Sequence, residues 1–387
     1  MTMAEAQEGK KLTAQDVAYT GPGTLAGRYL RSFWQPVYDA SKLAPGQAVE
    51  IRVLGQNWTL YRGQGGDSHL VADRCLHRNV KLSVGWVEGD DIRCFYHGWK
   101  YDGSGQCNEQ PAERHPFCQR MRLRTARVKE YLGLVFAYFG EGEPPELPRY
   151  PEFENFEGKL MTLTSQHGFN YFNAIDNLLD ASHIGFVHSN HVGGYDGRTD
   201  SAFLEVQETL WGATSVHTRR QSGKAGQTQF GMPNIFRVRM FPLAPGFPPR
   251  EVIFWFVPVD DENYQRFFVE AIRMPAEKIE TFLAARREVV AKQTFRPKDL
   301  AEAVVGGRMR REDVNPETTN IVNFVDDVAQ LAQGRIHDRS TEHLGSSDVG
   351  MVLVRRIWLR ELAALRDQRP LTLWRYDPSL PLVQSDE

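Results

Sequence analysis

Cys75-Leu76-His77 and, after sixteen intervening residues, Cys94-Phe95-Tyr96-His97 decide how this chain is read, because each short segment offers one thiolate and one imidazole. The pairing carries more than any single residue. Two Cys and two His in this mixed order suit a [2Fe–2S] cluster with thiolates on one iron and imidazoles on the other, a ligand set that raises the reduction potential above that of an all-Cys cluster. Such a cluster passes electrons one at a time. The competing reading is a Cys2His2 zinc site, which draws on the same ligand types but usually pairs Cys with Cys and His with His at fixed spacing. Gly85, Gly98 and the Gly103-Ser104-Gly105 turn lie near these segments and permit the compact loops that a cluster requires.

Outward from the two loops, all four cysteines fall within 44 positions, from Cys75 to Cys118. Cys107 and Cys118 have no His at matching spacing and read as small buried residues. Around them the chain is strand-like. Val49 to Tyr61 alternates apolar and polar residues about Gly55-Gln56-Asn57, and Asp102-Gly103 is a second hairpin signal. Pro144, Pro145, Pro148 and Pro151 then break any regular element, which predicts a domain boundary within Gly142 to Pro151. The expected division is an N-terminal helical segment over 1–30, a small β domain over 31–145 and a larger domain over 146–387.

The larger domain reads as an antiparallel sheet flanked by helices, so the chain as a whole is α+β. Glu251 to Val259 and Arg266 to Ile272 are apolar, aromatic runs separated by Asp260-Asp261-Glu262-Asn263, a hairpin pattern. Further strands are expected at Ala202 to Thr218 and Ile235 to Phe241. Helices are expected at Phe169 to Phe186, Pro275 to Lys292 and Ser347 to Asp367. Gln221 to Gly231 and Ala244 to Arg250, rich in Gly, Ser or Pro, read as mobile loops.

A second constellation lies on the first of these helices. Asp176-Asn177-Leu178-Leu179-Asp180-Ala181-Ser182-His183-Ile184-Gly185-Phe186-Val187-His188 places two imidazoles and two carboxylates within thirteen residues. At about 100° per residue Asp176, Asp180 and His183 share one helix face, whereas His188 lies about 140° from His183. Both imidazoles reach one metal only if the helix bulges or ends nearby, and Gly185 is the expected break. Two His with a distant carboxylate describe the facial triad of mononuclear Fe(II) oxygenases, which keeps coordination positions open for O2 and substrate. The first choice of third ligand is Asp348, with Asp326, Asp327, Asp338 and Glu342 competing. Asp348 reads equally well as a helix N-terminal cap. The remaining histidines, at 69, 115, 167, 191, 217, 337 and 343, read as ordinary ones.

Composition excludes several classes. A chain of 387 residues with 41% hydrophobic and 25% charged residues is globular, and its net charge of −3, from 46 basic and 49 acidic residues, provides no field for nucleic acid or an anionic membrane. The most apolar stretch, Tyr131 to Phe139, has nine residues, about half of a membrane span. Met1 to Lys11 lacks the apolar run of a secretory signal, so a cytoplasmic location is expected. Gly21-Pro22-Gly23-Thr24-Leu25-Ala26-Gly27 is not a dinucleotide loop, since no strand precedes it and its spacing is Gly-x-Gly-x-x-x-Gly.

With both constellations in view, the chain resembles the oxygenase (alpha) component of Rieske non-haem iron oxygenases, of the phthalate dioxygenase and dehydrodivanillate O-demethylase type. The resemblance is carried by Gly21-Pro22-Gly23-Thr24 through Trp34, by both Cys/His loops with Tyr96-His97-Gly98-Trp99-Lys100, by Asp176 to His188, and by Glu342 to Arg356. It implies an all-β Rieske domain followed by a catalytic domain. Cys75, His77, Cys94 and His97 would hold the cluster, and His183, His188 and Asp348 the iron, the match at Asp348 resting on Ser347-Asp348 at the head of the last long helix. Asp180 would be the carboxylate that hydrogen-bonds a cluster histidine, here His97, of a neighbouring subunit. That role implies a head-to-tail homotrimer or a pair of stacked trimers, because cluster and iron of one subunit lie too far apart.

The same resemblance implies a terminal oxygenase that uses O2 to hydroxylate or demethylate a small aromatic compound bearing a carboxylate or ether. With no flavin or nicotinamide site, electrons from NAD(P)H would arrive through a separate reductase, directly or by way of a ferredoxin. Other readings are a Rieske electron carrier with a non-catalytic, partner-binding C-terminal domain, and a demethylase of a non-aromatic substrate. Arg219, Arg220, Arg237 and Arg239 are possible partners for a substrate carboxylate, set against ordinary surface charge.

Overall fold

The computed structural model describes residues 11–189, 196–240, 242, 247–380 and 382. The chain divides into two compact units, one of Leu30–Leu147 and one joining the segment up to Tyr29 with Pro148 onward. The proline-rich stretch therefore contains the boundary. The N-terminal segment, expected as a separate helical piece, packs with the second unit. It has a 3-10 turn, Ala14–Val17, and one helix, α1 (Leu25–Arg31). The Thr24 hydroxyl accepts from the Gly27 amide and donates to the Gly21 carbonyl, so the glycine-rich stretch starts a helix and makes no ligand loop.

In the Leu30–Leu147 unit, strands β1 (Gln35–Asp39), β2 (Ala48–Val53), β3 (Gln56–Arg62) and β4 (Ser68–Ala72) precede the short strands β5 (Trp86–Glu88), β6 (Asp91–Arg93), β7 (Lys100–Tyr101) and β8 (Cys107–Glu109), then β9 (Thr125–Tyr131) and β10 (Leu134–Tyr138). They form a six-stranded sheet ordered β1-β10-β9-β4-β3-β2 and a four-stranded sheet ordered β5-β6-β7-β8. The expected hairpin at 49–61 is β2 to β3, and its turn residues Leu54 and Gly55 both have positive φ, 51° and 76°. That is the backbone a tight, right-twisted hairpin requires.

The second unit is built on a seven-stranded antiparallel sheet. Its strands are β11 (Gly158–His167), β12 (Ala202–Glu208), β13 (Gly212–Arg219), β14 (Ala225–Gly231), β15 (Ile235–Met240), β16 (Arg250–Asp260) and β17 (Asn263–Arg273), ordered β11-β17-β16-β15-β14-β13-β12. The strand region expected at 202–218 is the hairpin β12 to β13, and most of the expected loop at 221–231 is strand β14. Of the other expected loop, 244–246 lie outside the described residues. The helices are α2 (Tyr171–Leu179), α3 (Ser182–Val187), α4 (Ala276–Lys292), α5 (Pro297–Val305), α6 (Ile321–Ala332) and α7 (Val349–Arg366). Among the described residues no helix is long and apolar enough to cross a membrane.

Aromatic packing ties α7 and α2 together. Trp358 of α7 is fully buried and meets Tyr29, Tyr171 and Phe172 at inclined ring planes, with centroids 5.1, 6.3 and 5.6 Å away. Its indole N–H donates to the Pro233 carbonyl at 3.2 Å, which satisfies its polar atom inside the core. The start of α2 is fixed from the N-terminus, where Asn170 caps the helix and donates to the Ala18 and Asp261 carbonyls. Its middle is fixed by charge. Asp176 accepts from Arg339 at 3.0 and 3.2 Å and from Arg355 at 2.7 and 3.0 Å, and Arg355 continues to Glu342. All of Asp176, Arg339 and Arg355 are buried.

Two consequences are measurable. Asp176→Leu leaves two buried guanidinium groups short of their shared carboxylate and is expected to destabilise the second unit by about 3–5 kcal/mol in urea denaturation, with Asp176→Asn costing less. At Gly350 a Cβ would lie 2.7 Å from the Leu179 carbonyl oxygen at the end of α2. Alanine gains about 0.5–1 kcal/mol over glycine in a helix, but crowding against fixed backbone costs about 1–3 kcal/mol. Gly350→Ala is therefore expected to lower the denaturation midpoint.

Candidate metal centres

The first centre is local in origin. Cys75 accepts the Asn79 amide on its carbonyl and donates its own amide to Val80, while Cys94 accepts the Gly98 amide and donates to Trp99. The two loops thus share one hydrogen-bond pattern, and each has a residue of positive φ four places after its cysteine, Asn79 at 56° and Gly98 at 72°. Similar backbone gives similar presentation: Cys75 and Cys94 are buried, and the rings of His77 and His97 approach with centroids 4.5 Å apart. Trp99 stacks on His77 at 4.8 Å and 6° and fixes the plane of that ring. The Tyr101 hydroxyl accepts from the Leu76 amide at 3.2 Å and lies 3.3 Å from Cys75 Sγ, to which it can donate.

These residues fit a [2Fe–2S] cluster of mixed ligation. His77 Nδ1 is buried with no hydrogen-bond partner among the described residues, a costly arrangement unless that atom binds a metal. Burial, opposed by a hydrogen bond from Tyr101, pushes the Cys75 thiol up from its ordinary range, so a buried thiolate there calls for a cation. Cys107 is buried in the same core and Cys118 packs against it, as expected of residues outside the ligand set.

The second centre depends on a broken helix. The chain leaves helical geometry at Asp180, with φ −97° and ψ 102°, and resumes at Ser182, whose amide donates to Asp180 Oδ1 at 2.7 Å. The break thus falls five residues before Gly185, the expected position. Gly185 has a different use, since a Cβ there would lie 2.6 Å from Gly197. The common face expected for Asp176, Asp180 and His183 does not exist, because Asp180 is extended and the helix that carries Asp176 ends before it. With α3 ending at Val187, His188 sits just past the helix and its ring centroid lies 5.3 Å from that of His183.

His183 Nδ1 is hydrogen-bonded to the Asp180 carbonyl, which directs Nε2 outward. Asp326 of α6 meets both rings, its Oδ1 lying 3.0 Å from His188 Nε2 and 3.7 Å from His183 Nε2. Among the described residues His183, His188 and Asp326 are the group of His, Cys, Asp or Glu whose ligand atoms all lie within 4.8 Å of one another. Asn177 donates to the same Asp326 oxygen at 3.3 Å. Burial pushes the Asp326 carboxyl up, but the hydrogen bond and charge of His188, with His183 and Asn177, more than offset this and hold it below the usual carboxylate range. Two imidazole nitrogens and an ionised carboxylate are a donor set for Fe(II).

Asp348 is not in this group. It lies partly buried in the 3-10 turn before α7, and its Oδ2 accepts from the Gly345 amide. Although it is the residue before α7, its side chain makes no cap hydrogen bond to that helix. The other competitors are engaged as well: Asp338 caps Ser340, Glu342 binds Arg355 and His337, and Asp327 binds His167. A signal for Asp326 was present in the sequence. Residues 321–332 place Phe324, Val325 and Leu331 in the core, so a carboxylate beside them on such an apolar helix needs a buried partner.

The remaining candidates are spread out. Arg237 pairs with Glu152, Arg220 stacks over Phe203, and Arg239 is exposed in register with Glu251. Arg219 is buried, donates to the Asp200 carbonyl at 3.2 Å, and would stand 3.4 Å from a Cβ at Gly185, between the two metal-facing histidines in sequence. Burial, with help from Arg219, pushes the His217 imidazole down to about 4, so it is neutral near pH 7. His191 lies outside the described residues.

Comparison with known proteins finds two matching family domains. Residues 33–131 match the Rieske [2Fe-2S] domain, and residues 169–241 match the vanillate O-demethylase oxygenase C-terminal domain. The chain is 30% identical over 366 residues to the phenoxybenzoate dioxygenase subunit alpha of Ectopseudomonas oleovorans, covering 89% of this chain and 83% of that protein. It is 28% identical over 389 residues to the 5,5'-dehydrodivanillate O-demethylase oxygenase subunit of Sphingobium sp., covering 98% and 85%. The terminal oxygenase of carbazole 1,9a-dioxygenase from Nocardioides aromaticivorans IC177 shares the fold, with a TM-score of 0.64 at 19% identity over 88% of this chain and 99% of that one. A sheet-built cluster domain, a second domain with a two-histidine, one-carboxylate group, and these relationships together mean that the chain belongs to the Rieske non-haem iron oxygenases and is a terminal oxygenase dependent on a [2Fe–2S] cluster, non-haem iron, O2 and electrons from a reductase.

Proposed function

We propose that His183, His188 and Asp326 hold the mononuclear iron, that Cys75, His77, Cys94 and His97 hold the cluster, and that the enzyme hydroxylates or demethylates a small aromatic compound bearing a carboxylate or an ether. The convergence of His183 Nε2, His188 Nε2 and Asp326 Oδ1 carries this reading. Iron bound there would activate O2 with electrons delivered through the cluster. The chain's own contribution is orientation: the Asp180 carbonyl sets the His183 ring, and Asn177 and His188 hold the Asp326 carboxylate ionised and in place. The buried Arg219 beside α3 supports a carboxylated substrate. So do relatives named for phenoxybenzoate, 3-chlorobenzoate and phthalate dioxygenation.

The working form in this reading is a head-to-tail homotrimer, alone or stacked in pairs, that brings the cluster of one subunit to the iron of the next. Leu76, Val84, Trp86, Phe95 and Tyr96 form an apolar rim, 43–58% exposed, on and beside the cluster loops, which is the kind of surface a partner subunit covers. Asp180 is partly exposed beside His183, and its Oδ2 lies 3.9 Å from His183 Nδ1, a position suited to reach a cluster histidine of that partner. In its electron supply the chain takes a ferredoxin or a reductase as its donor, and its place of action is the cytoplasm.

Iron analysis of the full chain tests the site assignment. Wild type is expected to bind three irons per chain, Asp326→Ala two, and Asp348→Ala three; retention of the third iron by Asp326→Ala would refute the assignment. The reaction is tested by NADH and O2 consumption with a reductase over phthalates, methoxybenzoates and phenoxybenzoates. Formaldehyde in step with O2 identifies demethylation, whereas a dihydrodiol identifies ring oxidation. Absence of substrate-dependent O2 uptake with every carboxylated aromatic, alongside uptake with a non-aromatic ether or amine, would overturn the substrate class.

A further inference from the structure

Ser165, His167 and Asp327 form a hydrogen-bonded chain that the metal centres do not use. His167 Nδ1 lies 2.8 Å from Asp327 Oδ1, and Nε2 lies 2.9 Å from Ser165 Oγ. The ring is stacked on Tyr264 with centroids 4.7 Å apart and planes 8° from parallel, and Phe169 meets it at 60°. His167 and Asp327 are 4% and 3% exposed. Burial holds the imidazole in its neutral form against the opposing pull of Asp327. A neutral ring facing a carboxylate carries its proton on Nδ1, so Nδ1–H donates to Asp327 and Nε2 accepts from the Ser165 hydroxyl.

The position of Asp327 gives this chain a consequence. Asp326 and Asp327 are consecutive on α6, so their side chains leave the helix about 100° apart. Whatever fixes the direction of one fixes the direction of the other. The apolar contacts of α6, through Phe324, Val325 and Leu331, turn one face of the helix to the core, but hydrophobic contact has no preferred direction and leaves the fine aim of a neighbouring side chain to directional bonds. A buried hydrogen bond to a charged group is directional and costly to leave unmade. His167 is itself immobile, since it ends strand β11, whose whole length is paired with β17. Strand β11 therefore supplies a fixed point against which α6 is turned.

We propose that His167 is a positioning residue for the iron site: through Nδ1 it binds Asp327, sets the rotation of α6, and so aims the Asp326 carboxylate at the imidazoles of His183 and His188. This rests on the reading of those three residues as the iron ligands.

The test exploits the two ring nitrogens separately. In His167→Asn the amide nitrogen takes the place of Nδ1 and can still donate to Asp327; in His167→Gln it takes the place of Nε2 and cannot. Full-length proteins are made iron-free at the mononuclear site, titrated with Fe(II) without oxygen, and probed with nitric oxide by electron paramagnetic resonance. His167→Asn is expected to bind Fe(II) like wild type and give the wild-type nitrosyl signal. His167→Gln is expected to bind about tenfold more weakly, with a changed signal, as for loss of an outer-shell partner. Equal affinity and equal signals for the two variants would overturn the proposal. Should His167→Gln fail to fold, Asp327→Asn, which keeps an acceptor for Nδ1–H, is compared with Asp327→Leu, which does not, and the same difference is required. Asp326→Ala serves as the reference. If it still binds the iron, the site assignment itself fails; if it loses the iron while the His167 variants agree, only the positioning role fails.

Discussion

One carboxylate oxygen organises the second unit: Asp326 Oδ1 meets the Nε2 atoms of two histidines that precede it by about 140 residues in the chain. An ionised carboxylate among partly buried groups is costly unless it is paired, and here two imidazoles and the Asn177 amide surround it. Everything nearby serves to bring those partners together. Asn170 fixes the start of α2, the break at Asp180 redirects the chain into α3, and the end of α3 at Val187 frees His188 to turn towards α6. A shift in any of these separates donor atoms that here lie within 4.8 Å of one another.

The buried ion cluster beside this site makes a different contribution. Asp176, Arg339, Arg355 and Glu342 join α2 to α7 and to the segment before α7. Such a group adds little net stability over well-packed apolar residues, because desolvation offsets most of the attraction. It specifies position instead, since a helix carrying Asp176 can seat in one register only if both guanidinium groups are to be satisfied. Leu179 at the end of the same helix is in turn fitted against Gly350. The site thus stands on a helix held by charge at its middle and by close backbone approach at its end.

The cluster unit reaches rigidity by local means. Its two ligand loops repeat the same carbonyl-to-amide closure four residues apart, and each depends on one residue of positive φ. Trp99 and Tyr101, only a few residues past Cys94, brace His77 and Cys75 of the other loop. Little of this requires distant sequence, whereas the group of His183, His188 and Asp326 draws on α3 and on the distant α6.

That contrast explains what could be read from the residues alone. The pairing of the Cys75-His77 and Cys94-His97 loops, the β2 to β3 hairpin, the β16 to β17 hairpin and helix α7 were legible because each is fixed by spacing, turn chemistry or periodicity within a short stretch. The approach of His183 to His188 was legible to the point of requiring a helix end, but the break falls at Asp180 and not at Gly185, since a carboxylate that can bind the Ser182 amide makes the turn while Gly185 is needed for contact with Gly197. Which carboxylate stands beside the two histidines was legible only as far as a short set of candidates, Asp326 among them. Asp348 stands at the head of a long helix, where a local rule favours a carboxylate, and a local rule is all that sequence position expresses. Asp326 is chosen by where α6 lies against α2 and α3, and by its rotation there, which are set by packing and by buried hydrogen bonds between residues more than a hundred positions apart.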